Sequence, residues 1–259
     1  YPTSSELDLE DSALVSNWFK LERPDVVILA AAKVGGIYAN SKYPKDFLLK
    51  NLKIQNNVIE NAYLNNCKRL LFLGSSCIYP KFSNIPIKEE ELLSSGLEKT
   101  NEPYAIAKIA GIKLSEALFR DFNLDIICLM PTNVYGLKDN FDKFNGHVIP
   151  AMISKFIEAK KQNKKIIKLL GSGKPIREFI HSDDLAEAII RCLNCSNKKF
   201  KKYFNANLPI INVGTGESVS ISSLAKLIAK LVKFEGKIIF DKRFPDGTYK
   251  KNLNSKKIK

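Results

Sequence analysis

The chain has 259 residues, 45% of them hydrophobic and 26% charged, proportions typical of a globular protein with a full core. No apolar run approaches the ~20 residues of a membrane span and no signal peptide opens the sequence, so we expect a cytoplasmic protein without a membrane partner. The net charge of +14 is concentrated in lysine runs, among them 160–161, 164–165, 198–199, 201–202 and 256–257.

These lysine runs predict a solvated basic surface. A second interpretation, an anionic partner, divides between nucleic acid and a phosphorylated small molecule. The runs lie among Asn and Ile, and no basic stripe carries interleaved aromatic residues. The sequence therefore argues against a nucleic-acid partner.

The five cysteines are an odd number and lie in apolar contexts, which predicts reduced and mostly buried thiols. Cys192 and Cys195 form a C-x-x-C at the end of an amphipathic run. No second pair completes a metal site, and we predict none.

Short apolar runs alternate with longer segments of helical period. The runs predict strands buried on both faces at 25–32, 68–76, 124–132 and 209–216. Amphipathic helices are predicted at 46–66, 104–122, 147–162, 182–193 and 220–233. Strand alternating with helix predicts an α/β fold.

Ligands of open α/β sheets bind at the carboxyl ends of the strands. Three such ends are rich in small and hydroxyl residues: AAAKVGG (30–36), LGSSCIYP (73–80) and MPTNVYG (130–136). We therefore predict a binding site at this edge. The usual glycine-rich dinucleotide turn after a first strand does not occur in the sequence.

Two Tyr-x-x-x-Lys pairs occur in the chain. Tyr38 and Lys42 follow two glycines and precede Pro44, which predicts a loop and a coincidental spacing. Tyr104 and Lys108 follow Asn101 and Pro103, which suit a helix N-terminus, so they are expected on one helix face.

A tyrosine hydroxyl, with a pKa near ~10, needs help to act as an acid or base at neutral pH. We expect the Lys108 ammonium and the helix N-terminus to lower the pKa of Tyr104. The strand end LGSSC should meet this pair across the sheet edge, an arrangement that resembles the Ser/Tyr/Lys site of the extended short-chain dehydrogenases.

Over nearly the whole chain the sequence resembles the GDP-L-fucose synthase family of that branch. The motifs that carry the resemblance are AAAKVGGIYAN, LFLGSSCIYPK, EKTNEPYAIAKIAGIKL, MPTNVYG, NGHVIPA, GSGKPIREFIHSDD, INVGTG and FDKRFPDGT. The resemblance implies NADPH-dependent 3,5-epimerisation and 4-reduction of GDP-4-keto-6-deoxy-mannose. It also implies a Rossmann-like doubly wound parallel sheet with a smaller α/β substrate-binding domain.

The resemblance implies five catalytic residues. Cys77 and His147 would exchange protons at C3 and C5, since thiol and imidazole both titrate near neutral pH. Tyr104 would protonate O4, Ser75 would hydrogen-bond the same oxygen, and Lys108 would hold the nicotinamide ribose.

Contacts with NADPH and the GDP-sugar are implied in the same way. Those with NADPH fall on Leu73, Gly74, Ser75, Ser76, Lys108, Pro131, Thr132, Asn133, Val134 and His147. Arg177 would bind the diphosphate and Asp246 the ribose; the alternatives are an ion pair of Arg177 with Asp183 or Asp184, and a plain turn aspartate. Lys155 stands where the family commonly has Arg, and Leu170 where some members have Trp. His181 is expected to be structural.

The resemblance implies a cofactor domain of residues 1–147, with 176–212 returning to it, and a mainly substrate-binding domain of 148–259. It also implies a homodimer through the helices at 46–66 and 104–122. Against the family pattern, the first strand, the glycine-rich turn, the following strand and a C-terminal tail are missing, so the cofactor pyrophosphate would lose its main cradle. Another nucleotide-sugar epimerase or dehydratase, a truncated non-catalytic chain and a polyanion-binding protein remain alternatives.

Overall fold

The computed structural model describes residues 2–143, 146–196, 209–244 and 246–258, so the lysine runs at 198–199 and 201–202 lie outside it. The helices are α1 (Ser12–Glu22), α2 (Ile37–Lys42), α3 (Pro44–Leu64), α4 (Glu102–Phe122), α5 (Val148–Lys161), α6 (Ser182–Asn194) and α7 (Ile221–Val232). The strands are β1 (Val26–Leu29), β2 (Arg69–Leu73), β3 (Ile126–Pro131), β4 (Asn133–Tyr135), β5 (Ile166–Leu170), β6 (Ile176–His181), β7 (Ile210–Val213), β8 (Ser218–Ser220), β9 (Lys237–Asp241) and β10 (Lys250–Lys251).

The main sheet is parallel, with strand order β1-β2-β3-β7. In β2 and β3 successive residues enter opposite cores: Leu70 and Phe72 face the core formed with α1, α3 and α4, while Leu71 faces the core formed with α6. Helices on both faces explain why these strands read as continuous apolar runs. The predicted burial of β1 on both faces was wrong: Val26 and Ile28 are each 47% exposed, because no described helix covers that face of the edge strand. The predicted α/β, Rossmann-like fold is confirmed.

The two long helices, α3 and α4, pack against each other on one face of the sheet. Each carries a proline in its first turn, where the missing N–H has no intrahelical partner in any case. Helix α4 ends at Asn123, which takes the left-handed conformation with φ 56°. These features place Tyr104 in the first turn of α4, beside the carboxyl ends of the strands.

A second layer is built on β6, which pairs in parallel with β4 and β10 and antiparallel with β8. Strands β5 and β9 form a separate parallel pair. Together with α5 and α7 this pair encloses a third core, centred on the fully buried Phe156.

Buried polar side chains join the two layers. Tyr79 donates to Asn212 Oδ1 at 2.6 Å, and the Asn212 backbone N–H donates to Glu89 Oε1 at 3.0 Å. The Glu178 carboxylate, fully buried, accepts from Gly216 N at 2.7 Å and Leu253 N at 2.9 Å. Because buried polar groups are costly when unpaired, these bonds fix the chain around the strand ends.

All five cysteines are free thiols. At the C-x-x-C, Arg69 Nη1 donates to the carbonyl oxygens of Leu193 at 2.5 Å and Cys195 at 2.7 Å, which satisfies the end of α6. Within the described ranges no group of three or more His, Cys, Asp or Glu could hold a metal ion. None of the described helices is both long enough and apolar enough to cross a bilayer.

The prediction of a solvated basic surface was wrong for Lys257. Its ammonium lies 3.2 Å from Glu89 Oε2 and 3.0 Å from Glu90 Oε1, and its side chain is only 25% exposed. A lysine run in the sequence cannot reveal this pairing, because both carboxylates lie far away along the chain.

Candidate active site

The loop after β2 brings a hydroxyl and a thiol together. Ser75 caps a short 3₁₀ turn, Ser76–Ile78, by accepting from the Cys77 N–H at 3.2 Å. Its Oγ also lies 3.1 Å from the Cys77 Sγ. A Cβ on Gly74 would lie 2.3 Å from Cε of the buried Met130, so a larger residue there would force the Met130 side chain to shift.

Tyr104 meets this loop from helix α4. Its hydroxyl interacts with the Ser75 side chain, and its ring packs edge-on against Phe47 at a centroid distance of 6.2 Å. The first turns of α4 also pack against the 3₁₀ turn, as the sequence predicted for the LGSSC strand end. Ser75 therefore contacts the Cys77 thiol and also influences the Tyr104 phenol.

The expected lowering of the pKa of Tyr104 is not found. Burial and the charge of Cys77 raise the pKa of Tyr104, and the hydrogen bond from Ser75 only partly opposes them. Desolvation outweighs the neighbouring groups because a buried phenolate loses its hydration. A raised pKa keeps Tyr104 protonated at neutral pH, as an acid must be before it gives up its proton.

Lys108 is 3% exposed, and its Nζ donates to the Leu73 carbonyl oxygen at 2.8 Å. The ammonium lies 6.0 Å from the centroid of the Tyr104 ring. Burial lowers the pKa of Lys108 to about 8, although the charges of Cys77 and Cys128 act in the opposite direction. Lys108 thus joins the end of β2 to the face of α4 that bears Tyr104.

The other Tyr-x-x-x-Lys pair is helical, and the prediction of a loop there was wrong. Residues 37–42 form α2, whose start is stabilised by the Asn40 amide, which donates to the Gly35 and Gly36 carbonyl oxygens at 2.9 and 3.1 Å. Lys42 Nζ lies 5.6 Å from the Tyr38 ring centroid. Both side chains are exposed, and the contacts described for them include no serine or thiol.

The end of β3 contributes backbone and a buried hydroxyl. Thr132 N–H donates to the Val213 carbonyl oxygen at 3.0 Å, and Asn133 Nδ2 donates to the Glu178 carbonyl oxygen at 2.8 Å. Thr132 Oγ1 is buried and has no hydrogen-bond partner among the described residues. Between Pro131 and Val134, this segment continues the same sheet edge as Leu73–Ser76.

His147 stands apart from this cluster. It is the N-cap residue of α5, and its Nδ1 lies 3.8 Å from Asp139 Oδ1. The preceding Gly146 packs against Gly36, where an added Cβ would lie 2.9 Å from the Gly146 oxygen. The structure thus brings together Ser75, Cys77, Tyr104 and Lys108, whereas the contacts described for His147 do not reach Cys77.

The chain matches the model of the NAD dependent epimerase/dehydratase family over residues 3–214. The chain belongs to this family. Its resemblance to the GDP-L-fucose synthases is also confirmed: the chain is 50% identical over 252 residues to the GDP-L-fucose synthase of Escherichia coli (strain K12), covering 97% of this chain and 78% of that protein.

Two solved structures of GDP-heptose reductases match almost the whole chain. A GDP-6-OMe-4-keto-L-xylo-heptose reductase from C. jejuni superposes with a TM-score of 0.92 at 36% identity, covering 99% of this chain and 82% of that one. A GDP-mannoheptose C4 reductase from Campylobacter jejuni, solved with NADP bound, gives a TM-score of 0.87 at 37% identity, covering 99% and 81%.

Arg177 makes neither of the ion pairs considered from the sequence. Its Nη1 donates to the Ile176 and Tyr249 carbonyl oxygens at 2.8 and 3.4 Å. Burial lowers the pKa of Arg177, while the charges of Asp246, Glu98 and Cys77 oppose that effect. A partly buried guanidinium whose described hydrogen bonds go to carbonyl groups retains free N–H donors for an anion.

Asp246 is not a plain turn aspartate: its carboxylate joins its own segment to the loop after β5, accepting from Ser172 N at 2.9 Å and from Ser172 Oγ at 2.5 Å. Leu170, at the end of β5, is 46% exposed. Burial and the charge of Lys143 lower the pKa of Lys155. His181 caps α6 by accepting from Asp183 N at 3.3 Å, a structural role.

Two features of the site were missed from the sequence. Lys251 lies opposite Arg177 in the pairing of β10 with β6, and the charge of Glu98 raises the pKa of Arg177. A cavity of about 340 Å³ also opens at the end of β1, lined in part by Leu9, Ala32 and Lys33. Lys251 is adjacent to another lysine in the sequence. Only the strand pairing shows which of the two lies opposite Arg177.

Proposed function

We propose that this chain inverts C3 and C5 of GDP-4-keto-6-deoxy-mannose and reduces C4, giving GDP-L-fucose. The observation that carries the proposal is the thiol of Cys77, 3.1 Å from Ser75 Oγ and interacting with the nearby Tyr104 phenol. A 4-epimerase or a dehydratase of the same fold would use the tyrosine and lysine and would not need this thiol. Similarity to GDP-L-fucose synthases supports the same choice of reaction.

Epimerisation uses the acidity that the C4 ketone gives to the protons on C3 and C5. The Cys77 thiolate takes such a proton, and the C–H electron pair moves into an enolate whose oxygen is O4. Ser75 and Tyr104 donate hydrogen bonds to that oxygen, where negative charge develops. An acid then returns a proton to the opposite face, and we assign this role to His147, at the start of α5.

The carboxyl edge of the main sheet suits a dinucleotide. Thr132 Oγ1 is an unpaired buried hydroxyl, Lys108 has N–H donors beyond the one given to Leu73, and the cavity at the end of β1 adjoins the same edge. We propose that Leu73–Ser76, Pro131–Val134, Lys108 and His147 hold NADPH. The bound cofactor would supply the hydride to C4, while Tyr104 donates the proton to O4.

The nucleotide half of the substrate would lie against the second layer. Arg177 has free donors for the diphosphate. Lys155, within helix α5, offers a partly buried cation. Asp246 and Leu170 would contact the nucleoside. We accordingly assign residues 1–147, with 176–212, to cofactor binding and 148–259 mainly to the GDP-sugar.

The reaction is tested by incubating the protein with NADPH and GDP-4-keto-6-deoxy-mannose in deuterated water. We expect loss of one NADPH per sugar, GDP-L-fucose as product, and deuterium at both C3 and C5. NADPH oxidation without deuterium at these carbons would indicate a simple C4 reductase. Deuterium without NADPH oxidation would leave only the epimerase half of the proposal.

We also propose a homodimer through α3 and α4. An open cavity of about 510 Å³ between these helices is lined by Asn56, Glu60, Tyr63, Leu64, Leu114 and Leu118. Leu64 and Phe122 are 61% and 57% exposed, an apolar surface that a second copy would cover. Sedimentation at micromolar concentration should give a dimer, and a monomer would contradict this proposal.

A further inference from the structure

Helix α2 lies between two elements that carry proposed site residues. Its N-cap is Gly36, where an added Cβ would lie 2.9 Å from the carbonyl oxygen of Gly146, the residue before His147. At the other end of the helix, Ser41 Oγ donates to the Thr100 carbonyl oxygen at 3.5 Å, just before helix α4. The position of α2 is therefore set by contacts near the start of α5 and near the start of α4.

The first side chain of α2, Ile37, lies beside the proposed diphosphate ligand. A Cβ added to Gly247 would lie 3.3 Å from Ile37 Cδ1 and 3.3 Å from Arg177 Nη2. Apart from the chain neighbours of Gly247, no other atom of the described residues lies within 4 Å of that point. Ile37 is 43% exposed. The end of an aliphatic side chain and a guanidinium thus flank one small space, which glycine leaves open.

This arrangement restricts which part of a bound sugar Ile37 can contact. The diphosphate is joined to C1, so Arg177 would lie beside C1, while Cys77 and Tyr104 act at C3, C4 and C5. One edge of the ring between these points carries the C2 and C3 hydroxyl groups, and the other carries the ring oxygen and the C6 methyl. An aliphatic side chain would leave hydroxyl groups unpaired, whereas it suits a methyl group.

We propose that Ile37 is a specificity-determining residue, which contacts the C6 methyl group of the sugar and disfavours sugars with a hydroxyl group on C6. The inference rests on the proposed function, which puts a GDP-linked 6-deoxy sugar in this site. Contact between the methyl group and Ile37 removes apolar surface of both from water. A C6 hydroxyl group in the same place would lose hydrogen bonds to water and gain none from Ile37.

The neighbouring polar residues of α2 already have contacts of their own. The Asn40 amide donates to the carbonyl oxygens of Gly35 and Gly36, and Lys42 Nζ lies 5.6 Å from the Tyr38 ring centroid. Recognition of the C6 substituent from this helix is therefore assigned to its first residue.

The test compares two stable ligands that differ only at C6: GDP-mannose, which has a hydroxyl group there, and GDP-6-deoxy-mannose. Neither has a C4 ketone, so calorimetry without cofactor measures binding alone. The wild type should bind the 6-deoxy ligand about tenfold more tightly, within the range of an apolar contact. Ile37→Ser should reduce this preference to less than about twofold, because a serine hydroxyl can pair with the C6 hydroxyl group.

Two further variants serve as controls. Ile37→Val keeps an aliphatic side chain and should keep a preference of at least about fivefold. Ile190→Ser replaces another exposed isoleucine, on α6, and should leave both affinities unchanged. GDP alone should bind Ile37→Ser within about twofold of the wild type, because it has no sugar to contact residue 37.

An unchanged preference in Ile37→Ser would overturn the inference, as would a wild type that binds both ligands equally. Loss of GDP binding in Ile37→Ser would indicate that Ile37 maintains the shape of the site, and it would also count against the inference. A wild type that binds neither sugar nucleotide would contradict the proposed function as well. Binding of both ligands, with a preference that Ile37→Ser does not change, would contradict this inference alone.

Discussion

Replacing Cys77 with serine is expected to slow deuterium incorporation at C3 and C5 by about 100-fold or more, the range in which a positioned acid or base contributes. A serine hydroxyl keeps the contact with Ser75 but does not ionise near neutral pH. NADPH oxidation should fall with it, because the ketone is then not inverted before reduction. The measurement is deuterium content of the sugar by mass spectrometry, alongside cofactor absorbance.

Cys195→Ser provides the control for this change. Cys195 is also a partly exposed free thiol, but it lies at the end of α6, where its carbonyl oxygen binds Arg69. Its replacement should leave both rates unchanged. Normal turnover by the Cys77 variant would contradict the epimerase assignment and favour a 4-epimerase or a reductase of the same family.

Replacing Tyr104 with phenylalanine should separate the two halves of the reaction. NADPH oxidation is expected to fall about 100-fold or more, since no other side chain in the cluster both touches Ser75 and carries a phenolic proton. Deuterium exchange at C3 and C5 should fall less than about tenfold, because Ser75 still donates to the enolate oxygen. Both rates come from the same reaction mixture.

Tyr38→Phe is the matched control, since Tyr38 also precedes a lysine by four residues on a helix. It should change neither rate. Equal losses of exchange and reduction in Tyr104→Phe would contradict its assignment to the reduction step. They would indicate instead that Tyr104 holds the loop of Ser75 and Cys77 in place.

Patterns within single elements were reliable guides to the fold. The strand runs and the long helices were found because each element is buried along a continuous face. Helix α4 begins where Asn101 and Pro103 predicted, although the Asn101 side chain makes no capping hydrogen bond. Helix α2 was missed because its start depends on the Asn40 amide bonding two glycine carbonyl groups, which outweighs the turn-forming residues around it.

The chemistry of the site was harder to predict than its location. Spacing alone predicted that Tyr104 and Lys108 lie on one helix face. The direction of the Tyr104 pKa shift depends on burial, about which the spacing gives no information. The position of Lys251 in the site could not be predicted from the sequence, for a different reason. Its place opposite Arg177 follows from the pairing of two strands distant in the chain, and no local pattern encodes that register.

The bond from Tyr79 to Asn212 has a consequence for how the molecule folds. It joins residues 133 positions apart, and Tyr79 follows Cys77 by only two residues. Contacts of such long range form slowly, because the intervening chain must first be ordered. Helices α3 and α4 can therefore pair early, whereas the loop that carries the thiol reaches its final shape only after β7 has joined the sheet. Catalytic competence should then appear as a late kinetic event during refolding, after most of the helical signal has returned.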